Sequence, residues 1–407
     1  GLSGFLKVLK PAEALSGFGN ATIWLIVSAF LFAKGFIKTG LGRRIAYKIM
    51  AAIATSSLKL GYTMAITDLI IAPATPSNTA RGGGILFPIV KSLCTAFGSE
   101  PGATGKKIGS YLVSCTFQNN CITSSMFITA VAPNLLVVSL AKETAGVDIS
   151  WGLWALACIV PGLLALLICP YLVYKVCPPE LKETPEAPEL ARKELAAMGA
   201  MTRDEKIVFG TFILALLLWA TSSFTGFNAT MIALVCIGIM LVGGALVWED
   251  VITEKAAWDT LFWMGGLMSL ATGLAKSGFV DWFASGVASS LTGISWMMAL
   301  GILCLINMYV HYAFASLSAH VGATYAAFLA VAVAAGAPPM MAALALGCET
   351  GIMGCLTHYA TGPAPIYFGA GYHSQPEWWK IGFICSISSL ICFLIIGPIW
   401  WKALGLW

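Results

Sequence analysis

Between two apolar stretches, 61–71 and 85–90, the chain reads Ala72-Pro73-Ala74-Thr75-Pro76-Ser77-Asn78-Thr79-Ala80-Arg81-Gly82-Gly83-Gly84. Neither flank reaches the roughly 20 apolar residues that a helix needs to cross a bilayer. The spacing therefore predicts a chain that turns back at mid-membrane, where irregular backbone is tolerated only if it is buried in protein or lines a wet cavity. Pro76-Ser77 places a hydroxyl N-cap at the start of the returning half-helix, whose free N–H groups and dipole favour an anion. The pattern recurs at Ser316-Leu317-Ser318-Ala319-His320, where Ser316 follows Ser77 by 239 residues. Two helix N-termini meeting at one midplane point form a site for a ligand with two negative ends.

Composition sets the solvent. Of 407 residues, 58% are hydrophobic and 10% charged, against roughly 45–50% and 25% in soluble domains. The mean hydropathy is +0.84. A lipid bilayer is the expected partner, which excludes a soluble enzyme, a nucleic-acid binder and a disordered scaffold. The 12 cysteines fall mostly inside apolar runs and read as small buried hydrophobes. There is no CxxC and no Cys/His cluster, so no metal site and no cofactor is expected.

Long apolar segments lie near 20–37, 61–97, 108–141, 151–176, 207–222, 228–248, 258–276, 295–336, 339–371 and 379–405. The polar, proline-rich stretch 177–206 divides them. Each half carries the frame A-x-G-x-x-K-[ST]-G, at Ala33 to Gly40 and at Ala271 to Gly278. Each also has a later break, Ala130-Val131-Ala132-Pro133-Asn134 in one and Ala360-Thr361-Gly362-Pro363-Ala364 in the other. These breaks free backbone groups for a ligand or ion. Three landmarks in one order identify an internal repeat.

Lys34, Lys38, Arg43, Arg44 and Lys48, with the basic residues of 177–206, place both regions in the cytoplasm. Counting spans from there puts the mouth of the second hairpin and the C-terminus outside. The reading is an all-α polytopic membrane protein of two inverted repeats, each with a re-entrant helical hairpin and a broken transmembrane helix, as in secondary transporters. The second half has two spans ahead of its first landmark and the first half has none, so N-terminal helices are expected to be missing from this sequence.

Charges at membrane depth are costly and mark function. Arg81 and His320 sit four residues past each serine and place two cationic groups behind two hydroxyl-lined turns. Asp68, Glu349, His311 and His358 are weaker candidates, each able to serve as a packing partner.

The Ser-Asn-Thr turn, the A-x-A-P-N break and the runs Phe314 to His320 and Thr357 to Tyr367 resemble the divalent anion:sodium symporter (DASS) family. Within it they resemble the exchanger branch, which holds bacterial citrate/succinate and tartrate/succinate antiporters and the chloroplast 2-oxoglutarate/malate translocator. The resemblance implies an elevator-type homodimer. Scaffold helices would occupy 1–60 and 207–294. Transport elements would occupy 61–176 (hairpin 61–97, broken helix 108–141, helix 151–176) and 295–407 (hairpin 295–336, broken helix 339–371, helix 379–405), with 177–206 as a cytoplasmic linker.

It also implies that Ser77, Asn78, Thr79, Ser316 and Ser318 hold the carboxylates, with Thr361 and Pro363 near the substrate. Ala132, Pro133, Asn134 and Gly362 would form the helix breaks. Arg81 and His320 would supply the positive charge that sodium supplies in symporters. A residual sodium site would fall at Ser77 and Asn78, but Leu317 lacks the oxygen a hard cation needs. A buried fixed cation would make the empty carrier costly to move and so favour exchange. The expected activity is exchange of small di- or tricarboxylates (2-oxoglutarate, malate, succinate, citrate) across a bacterial inner membrane, or alternatively a plastid inner envelope. The competing readings are sodium-coupled dicarboxylate uptake, an intramembrane hydrolase using a buried Ser with His320 or His358, and an anion channel.

Overall fold

The computed structural model describes residues 10–278, 282, 286 and 294–407. Phe279 and the end of the expected second scaffold block lie outside them, as do 1–9 of the first block. Every regular element among the described residues is helical. Five helices there are long and apolar enough to cross a membrane: Pro11–Thr39, Trp151–Val176, Trp296–Ala313, Leu317–Ala334 and Gln375–Ala403.

Local signals set the helix ends. Asn20 caps helix Ala21–Thr39 by accepting from Thr22 N at 2.8 Å, and Gly40 closes it at φ +76°, where a side chain would be strained. That turn feeds helix Leu41–Ile53 directly. Thr202 and Glu205 form a capping box at the start of helix Arg203–Ala220. The polar stretch expected as a linker contains helix Ala187–Met198, which packs on Leu41–Ile53.

The first hairpin runs as helix Ser57–Ile71, a turn, a π-helical segment Thr79–Leu86 and helix Phe87–Ala96. Its start and the loop that follows its end meet the same stretch of linker: Ser57 N donates to Lys182 O, and Leu181 N donates to Lys107 O, both at 2.9 Å. The hairpin thus returns to the end it started from. The second hairpin comprises helices Trp296–Val310 and Leu317–Ala334. At its mouth Trp296 meets Trp407, ring centroids 5.8 Å apart.

The 29-residue helix Gln375–Ala403 separates these two ends. Just before it, His373 Nε2 donates to Ser110 O at 2.9 Å; near its end, Trp401 Nε1 donates to Ala157 O at 2.9 Å.

Buried polarity locates the centre. Helix Gly109–Met126 is buried along its whole length, including Gln118, Asn119, Asn120, Thr123, Ser124 and Ser125. Pro339–Ile352, its counterpart after the second hairpin, is buried from Met341 onward. The outer helices instead show apolar stripes at a four-residue period, such as Phe383, Ile387, Ile391, Ile395 and Ile399, all exposed on one helix face. Hydrocarbon is the solvent that such a stripe fits.

Candidate functional site

Each hairpin turn is closed by the same pair of hydrogen bonds. Ser77 Oγ accepts from Ala80 N at 3.1 Å and Ser77 O accepts from Arg81 N at 3.0 Å. In the second hairpin Ser316 Oγ accepts from Ala319 N at 3.3 Å and Ser316 O accepts from His320 N at 3.0 Å. A hydroxyl that caps one N–H still has a second lone pair and its own proton. Each turn therefore presents a serine O–H and the remaining free N–H groups of a helix start.

Four consecutive residues of the second break connect the two turns. Tyr359 Oη donates to Tyr312 O at 2.8 Å, and His311 Nε2 donates to Ala360 O at 2.9 Å, both from the second hairpin. Asn78 Nδ2, from the first hairpin, donates to Thr361 Oγ1 at 2.7 Å. A Cβ at Gly362 would overlap the Thr79 hydroxyl, so only glycine lets the turn approach this closely. Pro363 follows, buried, at the start of the short helix Ala364–Phe368. Asn78, Thr79, Thr361, Gly362 and Pro363 are thus brought together. Ser316 and Ser318 sit at the other turn, across Tyr359 and Ala360.

The first break, 127–131, is held from inside. Asn134 Nδ2 donates to Ser124 O at 2.7 Å and to Phe127 O at 2.9 Å, so its amide N–H groups bridge the interruption rather than face a ligand. Ala132 and Pro133 are buried beside it. Thr129 Oγ1 donates to Pro73 O at 2.6 Å and ties the break to the first hairpin.

The expectation of Arg81 as an uncompensated cation is corrected by its surroundings. Its side chain is fully buried, Nε lies 2.6 Å from Asp68 Oδ1, and its Nη donors go to Thr75 O, Ala130 O and Ser124 Oγ at 2.8–2.9 Å. Asp68 cancels its charge and is held in turn by Thr123 Oγ1 at 2.5 Å and by Asn120. Arg81 is a strut joining the turn to the break. Asp68 was a weak candidate in the sequence, and Asn120, Thr123 and Ser124 carried no signal there beyond their polarity.

His320 is placed differently. Its Nδ1 lies 2.8 Å from His311 Nδ1, and its Nε2 is buried without a partner. Since His311 Nε2–H is given to Ala360 O, a neutral His311 accepts at Nδ1, and His320 must donate there. Neutral His320 then carries a bare Nε2, an acceptor. Two backbone carbonyls of the breaks, Ala130 O and Ala360 O, are therefore each occupied by a side-chain donor from the adjacent hairpin. His358 lies apart from the turns and accepts from Trp379 Nε1 at 3.2 Å.

Paired hairpin turns, interrupted helices buried at the centre and an apolar exterior define a membrane transporter. The chain belongs to the divalent anion:sodium symporter family: the sodium:sulfate symporter transmembrane region matches residues 1–407. It is 49% identical over 400 residues to a putative malate transporter, YflS, of Bacillus subtilis, covering 98% of this chain and 84% of the relative. It is 45% identical to the chloroplastic dicarboxylate transporter 1 of Spinacia oleracea (100% of this chain, 72% of the relative). It is 39% identical to the L-tartrate/succinate antiporter of Escherichia coli (95% and 80%). The crystal structure of the Alcanivorax borkumensis YdaH transporter has the same fold, with a TM-score of 0.68 at 13% identity over 98% of this chain and 89% of that one. The relatives are transporters, and the hydrolase reading is set aside.

Proposed function

We propose that this dicarboxylate-transporter relative is a sodium-independent exchanger of small di- or tricarboxylates working by an elevator motion, as a homodimer. The observation that carries the reading is the occupation of the two break carbonyls. Ala130 O and Ala360 O, oxygens of the kind a hard cation would coordinate, instead accept from Arg81 Nη1 at 2.8 Å and His311 Nε2 at 2.9 Å. Leu317 adds no oxygen where the first turn has Asn78.

The substrate would lie between the turns, one carboxylate on Ser77, Asn78 and Thr79 and the other on Ser316 and Ser318. Thr361 and Pro363 would stand beside it. Each helix start offers about half a positive charge. Without a dianion those N–H and O–H groups would cross the membrane unsatisfied, at a cost of several kcal/mol, which favours exchange over return of the empty carrier. Arg81 is not needed for that penalty, since Asp68 already neutralises it.

An inverted repeat is supported by the placement of the hairpin mouths, one beside the linker and the other beside Trp407, at opposite ends of helix Gln375–Ala403. An elevator is supported by an apolar groove of about 820 Å³, open on one side, between two sets of residues. Leu41, Ile45, Phe209, Phe212 and Leu216 line one side, and Leu69, Ile70, Pro73 and Phe127 of the hairpin and break line the other. A loosely filled boundary lets one body slide against another.

Counterflow of labelled succinate into proteoliposomes preloaded with malate, succinate, citrate or 2-oxoglutarate tests the substrate class. Acceleration by dicarboxylates and not by monocarboxylates is expected; equal acceleration by acetate would refute a site with two anion-binding ends.

A further inference from the structure

The two repeats fasten hairpin to broken helix with the same chemistry turned round. In the first, the acid is on the hairpin arm and the amide on the helix: Asn120 Nδ2 donates to Asp68 Oδ2 at 3.1 Å. In the second, the amide is on the arm and the acid on the helix: Asn307 Nδ2 donates to Glu349 Oε2 at 2.7 Å. Asp68 and Asn307 are related by the same offset of 239 residues as Ser77 and Ser316.

The counter-charge differs. Asp68 has Arg81; Glu349 is fully buried and its Oε1 has no hydrogen-bond partner. At the position equivalent to Arg81 stands His320, whose Nδ1 faces His311. The titratable groups around Glu349 are the Cys304 thiol on the hairpin arm and Cys348 on its own helix, itself 3.3 Å from Cys158. Tyr325 of the returning arm, near both thiols, gives its hydroxyl to Ala343 O. Among the described residues the buried arginines are spent elsewhere, Arg44 on Glu205 and Arg81 on Asp68. The lysines of the other helices packed here, Lys142, Lys175, Lys380 and Lys402, are all exposed. A carboxylate in this position would be a buried charge without a cation, and a proton removes that charge.

We infer that Glu349 is a proton-binding site, a proton serving the second repeat as Arg81 serves the first, and that its ionisation slows the carrier. The neutral acid keeps hairpin arm and broken helix packed. Loss of the proton sets a charge between them and is felt at the substrate turn, because the Thr324 hydroxyl lies 3.3 Å from Asn307 Oδ1 and 3.0 Å from His320 O. The second half of this inference rests on the transporter reading; the first does not.

Infrared difference spectroscopy on the purified chain, titrated from about pH 6 to about pH 9, reads the carboxylic-acid C=O stretch without reference to transport. An acid band at neutral pH that is missing in Glu349→Gln is expected; identical spectra for the two proteins overturn the site. Succinate counterflow between about pH 7 and about pH 9, where the substrate stays a dianion, is expected to fall toward alkaline pH in the wild type, by at most one decade per pH unit. It is expected to stay level in Glu349→Gln, and a shared pH profile overturns the control of transport. Should Glu349→Gln not fold, Asn307→Asp serves: a second carboxyl beside Glu349 holds its proton more tightly and moves the decline to higher pH. An unmoved decline contradicts the inference. If no carboxylate is transported at all, the infrared result still decides whether Glu349 holds a proton.

Discussion

Arg81 Nε and Asp68 Oδ1 lie 2.6 Å apart, with neither side chain exposed to solvent. The pair spans the first hairpin, from its entering arm to the first residues past its turn, and Arg81 continues to the carbonyl of Ala130 in the broken helix. Removing one partner leaves a buried charge alone, which costs about 3–5 kcal/mol. Arg81→Gln and Asp68→Asn should therefore each lower the thermal midpoint in detergent markedly. The double variant, with no charge left to compensate, should recover part of the loss. A double variant as unstable as the sum of the singles would show that the two do not act as a pair.

The serine turns should report on binding. Ser77→Ala and Ser316→Ala each remove a cap and a donor to the substrate. Each should weaken dicarboxylate binding by roughly 1–3 kcal/mol, beyond a cap loss of about 1 kcal/mol in stability. Isothermal titration beside thermal unfolding separates the two effects. Two variants that bind succinate as the wild type does would move the site elsewhere.

Gly362 should tolerate no side chain. Gly362→Ala puts a methyl group into the Thr79 hydroxyl and should cut counterflow severely, whereas Gly84→Ala, with open space at its Cβ, should leave it within about two-fold. Equal activity of the two variants would show that the first turn does not need to dock on the second break.

The orientation of the chain is testable independently. Lys38 pairs with Asp250 at 2.5 Å and Arg44 with Glu205 at 2.7 Å, so the basic 34–48 region, the linker and the 249–254 segment share one end of the molecule. With that end cytoplasmic, a membrane-impermeant thiol reagent added to intact cells should label an engineered cysteine in 401–407 and not one in 186–200, in a background lacking Cys177. The opposite pattern would invert the topology.

Much of the fold was legible because a bilayer imposes simple rules. Short apolar flanks around Thr75-Pro76-Ser77 permit only a turn, and Pro133 and Pro363 mark where segments otherwise long enough to cross resume after a break. The partnerships were harder to read. Asp68 and Arg81 are 13 residues apart across a turn, a separation that no helical period brings together, so Arg81 reads from sequence as a free cation. Glu349 stands among the candidates, but its contact with Asn307 escapes notice because the residue types are exchanged relative to Asp68 and Asn120. The contact of Asn78 with Thr361 joins residues 283 apart in the chain, which local pattern cannot supply. The capping serines, by contrast, act through atoms within three residues, and those were readable.

Obligatory exchange without sodium is the claim on which the account rests. Uptake of labelled succinate into proteoliposomes, with and without internal succinate, in sodium, potassium or choline media, tests it most directly. Rapid uptake into loaded vesicles at the same rate in all three media is expected, with little uptake into empty ones. Uptake into empty vesicles that requires an inward sodium gradient, with no acceleration by internal succinate, would contradict it.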